Sequence, residues 1–175
     1  MVYIRDSFAD LFPLLEGKKE VVTLIDSGVE PIFGNCFPYR KIIVNTSEQN
    51  KSFTLVQEIC EKLLEMEVSR GGFLLCVGGG ILTDVGGFVA SIYKRGIKCG
   101  YVSATLLAQV DASIGGKTGI NLAGYKNAVG TFSMPEFTYI NTELLKSLPE
   151  REYKAGLAEL YKTLALRDRE MFLGG

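Results

Sequence analysis

The chain has no histidine, no long apolar run and no excess of charge of either sign. It has 175 residues and a net charge of −1. Without histidine, these residues can form neither a histidine-bound metal site nor a histidine base. The even charge balance argues against a nucleic-acid-binding protein, which normally has a basic excess. No segment approaches the ~20 apolar residues of a membrane span, and Arg5, Asp6 and Asp10 interrupt the N-terminus where a secretory signal would be apolar.

Paired cysteines are absent as well. The four cysteines, at positions 36, 60, 76 and 99, include no C-x-x-C pair. Zinc sites and redox pairs usually show closer spacing, so the pattern predicts reduced thiols in a cytoplasmic protein. Cys60 and Cys76 have the apolar surroundings of small core residues. The remaining composition, 47% hydrophobic and 22% charged, is typical of one globular domain.

Strand and helix patterns alternate along the chain. Residues 21–27 and 41–46 are β-branched runs of strand length, and apolar residues from 53 to 64 recur at helical spacing. Residues 73–78 are apolar on both faces, as in a central parallel strand. The alternation predicts an α/β fold with a Rossmann-like parallel sheet and flanking helices. Further predicted elements are a helix to about Tyr93, a strand over 98–104, a helix over 105–114, an extended segment over 116–122, a strand over 137–141 and a last helix from Pro149.

Several local signals predict where these elements end and where a ligand binds. Ser69-Arg70-Gly71-Gly72 is expected to stop the helix that begins near residue 52, because glycine tolerates a left-handed conformation. Thr142 is expected to cap a helical turn. The carboxyl ends of parallel strands form the ligand edge of such sheets, so Asp26, Thr46 and the three glycines at 78–80 should converge there.

The glycine-rich segment VGGGILTDVGG follows a predicted strand. The strict dinucleotide fingerprint G-x-G-x-x-G fails, because Thr83 stands where the third glycine is required. A strand that leads through glycines into a helix still offers N–H groups to a pyrophosphate. The alternative is a tight turn packed against a neighbour. Asp84 is expected to cap the helix, with a role near a ribose as the less favoured interpretation.

Other polar motifs allow two interpretations each. GGKTG is not a P-loop, because Asp111 stands where the first glycine is required. Gly115, Gly116 and Lys117 form either an anion cradle, supported by Lys126 and Asn127, or a hairpin with solvated lysines. Glu159 and Lys162 have the spacing of a surface ion pair on the last helix, and Glu152 lies two turns earlier. Glu48 and Lys51 follow a strand at the ligand edge, where they can reach an adenosine.

Taken together, these segments resemble the 3-dehydroquinate synthase family of the shikimate pathway. The most specific matches are GGGILTDVGGFVASIYKRG, TLLAQVDASIGGKTGIN, KNAVGTF and LKSLPEREYKAGLAELYK, and the resemblance runs from about Asp26 to the end. It implies an NAD-binding α/β domain over 1–150, and the first helix of a helical, metal-binding domain over 151–175. The residues after that helix, Phe172-Leu173-Gly174-Gly175, have the appearance of a cut, which would explain the absence of the family's histidine ligands.

The resemblance also implies functional residues. Glu159 matches the metal-binding glutamate, for zinc or cobalt. The substrate and catalytic positions are Lys117, Lys162, Asn127, Asp111 and Arg95, the last one reaching the partner subunit of a homodimer. The implied NAD contacts are Asp26, Glu48, Lys51, Gly79, Gly80, Ile81, Asp84, Ala104, Thr105, Asp111, Lys117, Lys126, Leu144, Ser147, Leu148 and Glu152.

The implied reaction converts 3-deoxy-D-arabino-heptulosonate 7-phosphate to 3-dehydroquinate and phosphate, by NAD-dependent oxidation, phosphate elimination, reduction and aldol closure. The chain departs from the family at Ala104, Leu144 and Ser147, where Thr, Phe and Thr are common, and Ala104 removes one hydroxyl near the implied cofactor. Alternatives are a sugar-phosphate cyclase of secondary metabolism, a metal-dependent polyol or glycerol-phosphate dehydrogenase, and a non-catalytic NAD-binding module. Because one carboxylate does not make a zinc site, these 175 residues alone are expected to lack cyclase activity.

Overall fold

The computed structural model describes residues 1–168 and 171–172. The strands are β1 (Val2–Ile4), β2 (Lys19–Asp26), β3 (Arg40–Val44), β4 (Gly72–Gly78), β5 (Lys98–Ser103), β6 (Ile120–Leu122), β7 (Tyr125–Val129) and β8 (Thr138–Ile140). The α-helices are α1 (Phe12–Leu15), α2 (Glu30–Phe33), α3 (Phe53–Glu65), α4 (Gly80–Ile92) and α5 (Glu150–Arg167). Short 3₁₀ helices cover Phe8–Leu11, Gly34–Cys36, Tyr93–Arg95 and Thr142–Ser147, and a π turn covers Ala108–Ala112.

Six strands form one sheet in the order β1-β8-β5-β4-β2-β3, and all five pairings are parallel. Every residue of β4 is buried, because helices and loops cover both faces of the sheet. The strands β6 and β7 form a separate antiparallel hairpin. Its turn is Ala123-Gly124, and both residues have positive φ (51° and 84°), as a tight two-residue hairpin turn requires. The predicted parallel α/β fold is confirmed.

Two hydrophobic clusters cover the two faces of this sheet. On one face, α3 and α4 contribute Ile59, Leu63 and Val89, all fully buried, against Leu24 and Leu74 of the sheet. The other cluster contains the N-terminal helices and the 3₁₀ helix at 142–147. Burial of this apolar area, at about 25 cal/mol per Å², provides the main stabilisation of the sheet.

Two predicted local signals were wrong. The helix α3 ends at Glu65, and the left-handed residue after it is Glu67 (φ 55°), while the predicted stop at Ser69–Gly72 lies in the next turn. The 3₁₀ helix at 142–147 is capped by Asn141, whose Oδ1 accepts from the Glu143 N–H at 2.8 Å, rather than by Thr142. The predicted helix over 105–114 is shorter and contains the π turn.

The last helix, α5, begins directly after Pro149 and is only partly covered. Leu166 is 75% exposed, and Gly156 is the one buried residue in its described length. Of the last four residues, Leu173, Gly174 and Gly175 lie outside the described residues. No helix within 1–168 or 171–172 combines the length and the apolar character needed to cross a membrane.

Candidate functional site

The carboxyl ends of the parallel strands bring the predicted acidic and glycine residues to one edge of the sheet. Asp26 ends β2, and its Oδ1 accepts from the Gly28 N–H at 2.8 Å. Its Oδ2 accepts from the Thr46 N–H at 3.2 Å and from the Thr46 hydroxyl. The predicted convergence of Asp26 and Thr46 is therefore confirmed. The carboxylate is fixed in place by three donors at the rim of the edge.

The glycine loop joins β4 to α4 by the shortest route. Gly78 is the last strand residue, Gly79 occupies the N-cap position and α4 begins at Gly80. A Cβ on Gly79 would lie 2.9 Å from Thr105 Cγ2, and one on Gly80 would lie 2.9 Å from the Cβ of Ala112. These glycines therefore pack tightly against neighbouring residues, as the tight-turn alternative predicts. Gly79, Gly80 and Ile81 are nevertheless partly exposed, and in the described residues no side chain caps α4. Its first N–H groups thus remain available to an anion.

Asp84 does not cap α4, which corrects the favoured prediction for it. Its carboxylate oxygen Oδ2 instead accepts from Lys51 Nζ at 2.5 Å, and Lys51 Nζ also lies 2.5 Å from Asn127 Oδ1. The Lys51 side chain is only 4% exposed. These three residues, here called the Lys51 network, join the loop before α3, the first turns of α4 and the β6–β7 hairpin. Burial raises the pKa of Asp84, and the ammonium of Lys51 opposes that rise.

A second set of contacts continues from the Lys51 network to Glu48. Asn121 Nδ2 donates to the Glu48 main-chain oxygen at 3.1 Å and to its carboxylate at 2.9 Å. Asn121 Oδ1 accepts from the Asn127 N–H at 2.9 Å, and its own N–H donates to the Lys51 carbonyl at 2.8 Å. The hydrogen bond from Asn121 lowers the pKa of Glu48. Sequence reasoning missed Asn121, although an amide side chain between Ile120 and Leu122 was a usable signal.

The lysines of the GGKTG region lie on the exposed side of this arrangement. Gly115 and Gly116 have φ of 97° and 69°, so the backbone turn before Lys117 needs glycine. Lys117 is exposed, and Lys126 is 74% exposed with its Nζ 3.6 Å from Glu48. The hairpin was predicted at 115–117, whereas the hairpin turn lies at Ala123–Gly124, between β6 and β7. The loop at 115–117 precedes that hairpin and leaves its lysine facing solvent.

A cleft of about 440 Å³ lies beside this region, between the end of β3 and the start of α3. It is lined by Val44, Asn45, Asn50, Ser52 and Leu55, among others. Its lining also includes the charged side chains of Glu58 and Lys62. The cleft lies next to Thr46 and Glu48 in the chain, at the rim held by Asp26.

On the other side of the glycine loop, the segment after β5 carries three predicted residues. Ala104 is buried, and its N–H donates to the Gly78 carbonyl at 2.8 Å. Thr105 is partly exposed, and its Oγ1 accepts from the Ala108 N–H at 3.2 Å. Asp111 is exposed on the π turn. The hydrogen bond to Glu159 raises the pKa of Lys162, and the charge of Asp111 adds a smaller contribution in the same direction.

The helix α5 carries the predicted metal ligand. Glu159 pairs with Lys162 in the i,i+3 arrangement expected from the sequence, with side chains 33% and 58% exposed. Glu152 is exposed two turns earlier. Within residues 1–168 and 171–172, no three His, Cys, Asp or Glu side chains lie together in a way that could hold a metal ion. Glu159 is one carboxylate, so these residues do not fit a metal site by themselves.

Two groups of predicted residues lie outside the glycine loop and the Lys51 network. Arg95 is exposed just beyond the C-terminus of α4, and the 13 residues of that helix separate it from Gly80 by roughly 20 Å at ~1.5 Å per residue. Leu144 is 1% exposed within the second hydrophobic cluster, so it is the least accessible of the predicted cofactor residues. Ser147 and Leu148, at the end of the same 3₁₀ helix, are more exposed.

Comparison with known proteins gives a consistent result. Residues 41–155 match the family described as 3-dehydroquinate synthase N-terminal. The 3-dehydroquinate synthase of Campylobacter fetus subsp. fetus is 42% identical over 153 residues, which cover 87% of this chain and 42% of that protein. That of Pyrococcus furiosus is 49% identical over 136 residues, covering 78% and 40%. The chain spans less than half the length of the curated relatives it matches.

Solved structures with this fold include two sugar-phosphate cyclases. The 2-epi-5-epi-valiolone synthase of Streptomyces hygroscopicus subsp. jinggangensis, solved with NAD⁺ and Zn²⁺ bound, superimposes with a TM-score of 0.81 at 27% identity, over 94% of this chain and 52% of that one. A 2-deoxy-scyllo-inosose synthase in complex with carbaglucose-6-phosphate, NAD⁺ and Co²⁺ gives the same TM-score and identity, over 93% and 48%.

Proposed function

Since this chain belongs to the 3-dehydroquinate synthase family, we propose that it is the NAD-binding part of an enzyme that converts 3-deoxy-D-arabino-heptulosonate 7-phosphate to 3-dehydroquinate and phosphate. The observation that carries the proposal is the uncapped start of α4, reached through Gly79 and Gly80 at the carboxyl edge of a parallel sheet. The residues 1–150 form the cofactor domain in this proposal, and 151–175 begin a second domain.

The arrangement fits NAD. The first N–H groups of α4 bind the pyrophosphate, with Gly79, Gly80 and Ile81 leaving room for it. The fixed carboxylate of Asp26 accepts from a ribose hydroxyl at the rim, and the cleft beside β3 takes the adenine. Thr105 and Asp111, on the opposite side of the glycine loop, border the reactive end of the cofactor. When bound, NAD would take a hydride from the substrate carbon that carries a hydroxyl while that hydroxyl loses its proton, and would return the hydride later, so that the net reaction would be redox-neutral.

The remaining polar residues serve the substrate in this proposal. Lys117 and Lys126 face solvent at the open side of the Lys51 network, where ammonium groups can orient a phosphate or carboxylate. Asn127 and Lys162 contribute a neutral and a charged contact. Arg95 lies at the far end of α4, and the family resemblance assigns it to the substrate of a partner subunit in a homodimer.

For the metal, the described residues contribute Glu159, and one carboxylate is too few ligands for a catalytic metal site. The related cyclases were solved with Zn²⁺ or Co²⁺. We therefore expect no cyclase turnover from the isolated chain in the presence of NAD and metal. Turnover by the purified chain would contradict this.

Calorimetric titration of NAD into the chain tests the cofactor assignment. We expect binding that an Asp26→Ala variant loses, and that a Lys19→Ala, Lys98→Ala variant at the opposite edge of the sheet retains. Absence of NAD binding by the unmodified chain, with both variants folded by circular dichroism, would count against a self-sufficient cofactor domain.

A second candidate is another sugar-phosphate cyclase, because the chain superimposes closely on two such enzymes. The higher identity to 3-dehydroquinate synthases, 42% and 49% against 27%, favours the first candidate. Assay of the longer protein with the heptulosonate phosphate and with a hexose 6-phosphate separates the two, since only one should be cyclised.

A further inference from the structure

The π turn at Ala108–Ala112 crosses the carboxyl edge between the glycine loop and α5. Its diagnostic hydrogen bond runs from the Ser113 N–H to the Ala108 carbonyl, five residues back, at 3.2 Å. A π turn contains one residue more than the α-helix would, and such turns are costly and occur often at functional sites. A turn of this kind needs contacts from outside to maintain it.

Gln109 provides those contacts from inside the protein. It is 6% exposed, and its Nε2 donates to the Ser103 carbonyl at 3.0 Å and to the Asn141 carbonyl at 3.2 Å. Ser103 ends β5, and Asn141 directly follows β8. One amide nitrogen therefore uses both of its hydrogens to join the turn to the ends of two adjacent strands.

Three hydroxyl groups support the same attachment. The Ser103 and Ser113 hydroxyls lie 2.8 Å apart, and the Thr138 hydroxyl donates to the Ser113 carbonyl at 3.1 Å. All of these groups are buried, so their hydrogen bonds are strong and directional. The beginning and the end of the π turn are thus tied to the sheet.

The outer side of the turn contacts two elements of the candidate site. Ala112 is the neighbour that a Cβ on Gly80 would meet at 2.9 Å. Just before the turn, Leu106 and Leu107 abut α5 so closely that a Cβ on Gly156 would lie 2.6 Å from the Leu106 Cβ. Asp111 acts electrostatically on Lys162 of α5. The position of the turn therefore sets both the space at the glycine loop and the seating of α5.

We propose that Gln109 is a positioning residue: by holding the π turn to β5 and β8, it fixes the spacing between the glycine loop and α5. The functional consequence, correct placement of the cofactor relative to Asp111 and Lys162, rests on the proposed function. The structural consequence does not.

The test compares Gln109→Met and Gln109→Glu with Gln57→Met, an exposed glutamine on α3. Amide hydrogen exchange is followed at residues 79–84 and 150–162, with the central strands as an internal reference. We expect Gln109→Met to accelerate exchange in those two segments by about tenfold, since both hydrogen bonds are lost, while the strands and Gln57→Met remain unchanged. Equal acceleration everywhere would indicate general destabilisation, and no acceleration would show that Gln109 positions nothing. Either result overturns the proposal.

Gln109→Glu adds a readout that simple destabilisation would not produce. An ionised glutamate places negative charge beside two carbonyls, whereas its neutral form has one O–H that can donate to Ser103 or Asn141. Exchange in the two segments should therefore slow towards the wild-type rate as the pH is lowered. All variants share the neighbouring charged groups, which are Asp111 on the turn, Asp84 on α4, and Glu159 and Lys162 on α5. The pH response of Gln109→Met therefore measures the contribution of these groups, and it is subtracted from that of Gln109→Glu. A pH response equal to that of Gln109→Met would also overturn the proposal.

NAD affinity then separates this proposal from the proposed function. We expect the dissociation constant for NAD to rise about tenfold in Gln109→Met and to stay unchanged in Gln57→Met. If the unmodified chain binds no NAD, the cofactor assignment fails for this chain, while the exchange experiment still decides the role of Gln109. If NAD binds equally to all variants, the positioning role fails while the cofactor assignment stands.

Discussion

Two lysine–carboxylate pairs in the candidate site differ in almost every physical respect. Lys51 and Asp84 are 4% and 21% exposed and are separated by 33 residues of sequence. Lys162 and Glu159 are 58% and 33% exposed and lie three residues apart on one helix. The first pair connects separate parts of the fold, whereas the second lies on the surface of a single helix. Burial, rather than the presence of an ion pair, determines how much each one contributes to stability.

The strongest test of this difference is to remove the Lys51 charge. In Lys51→Met, the partly buried Asp84 carboxylate loses its counter-ion, and Asn127 loses its donor. We expect the free energy of unfolding at pH 8 to fall by about 3 kcal/mol. Urea denaturation of Lys51→Met and of Lys126→Met, a matched change at a 74% exposed lysine, measures it. The Lys126 variant should differ from wild type by less than about 0.5 kcal/mol.

The pH dependence of the same variant sharpens the prediction. Burial raises the pKa of Asp84, so its protonated form is favoured in the folded state. The associated stability is therefore present at low pH and is lost as the pH rises through the folded-state pKa. The deficit of Lys51→Met should shrink as the pH is lowered towards 3.8, the ordinary pKa of an aspartate, and Lys51→Met, Asp84→Asn should recover part of it at pH 8. A deficit independent of pH would mean that Asp84 is not the uncompensated group.

A smaller effect is expected at Glu48, which lies between the two extremes of burial. Its pKa is lowered by the hydrogen bond from Asn121, so its contribution is present above the unfolded-state pKa and is lost as the pH falls through the folded-state value. Glu48→Gln should therefore be slightly less stable than wild type at pH 7, and the difference should vanish in acid below pH 4.5, the ordinary value. Thermal denaturation at several pH values measures this, with Glu58→Gln on α3 as the exposed control. If the difference in stability between Glu48→Gln and wild type widened in acid, the pKa of Glu48 would be raised in the folded state rather than lowered.

The smallest effect on stability is expected from Lys162→Met, because this lysine is exposed and its partner lies on the same helix. The urea midpoint should be unchanged, while substrate turnover by the longer protein should drop strongly if Lys162 contacts substrate. A stability loss as large as that of Lys51→Met would remove the distinction between the two pairs.

The same contrast explains how far the sequence alone could lead. The periodicity of α3 and the continuous apolar run of β4 are local properties, and both elements appear where they were predicted. The Glu159–Lys162 pair is likewise local. The Lys51 network joins residues 51, 84 and 127, and no spacing rule relates positions so far apart in the chain. The sequence therefore predicted the position of Asp84 in the first turns of α4 correctly, but not the residue with which its carboxylate interacts.

Local signals also failed where two neighbouring residues compete for one role. Asn141 and Thr142 can both cap a helix, and the end of β8 decides in favour of Asn141 by placing it just outside the 3₁₀ helix. Glu67 adopts a positive φ although two glycines follow soon after, because α3 has to end before Val68 enters the core. Gln109 stood in an apolar helical run, and that isolated amide was the one available signal of the π turn.

The pairing of β1 with β8 has a consequence for the order of assembly. Val2–Ile4 align with Thr138–Ile140 at one edge of the sheet, so a contact of very long sequence separation closes the fold. Such a contact forms slowly, since the loop between its ends has to be ordered first. During synthesis, β1 leaves the ribosome long before its partner exists. The backbone of β1, which carries the exposed Val2 and Ile4, therefore remains unpaired until nearly the whole sheet has been translated.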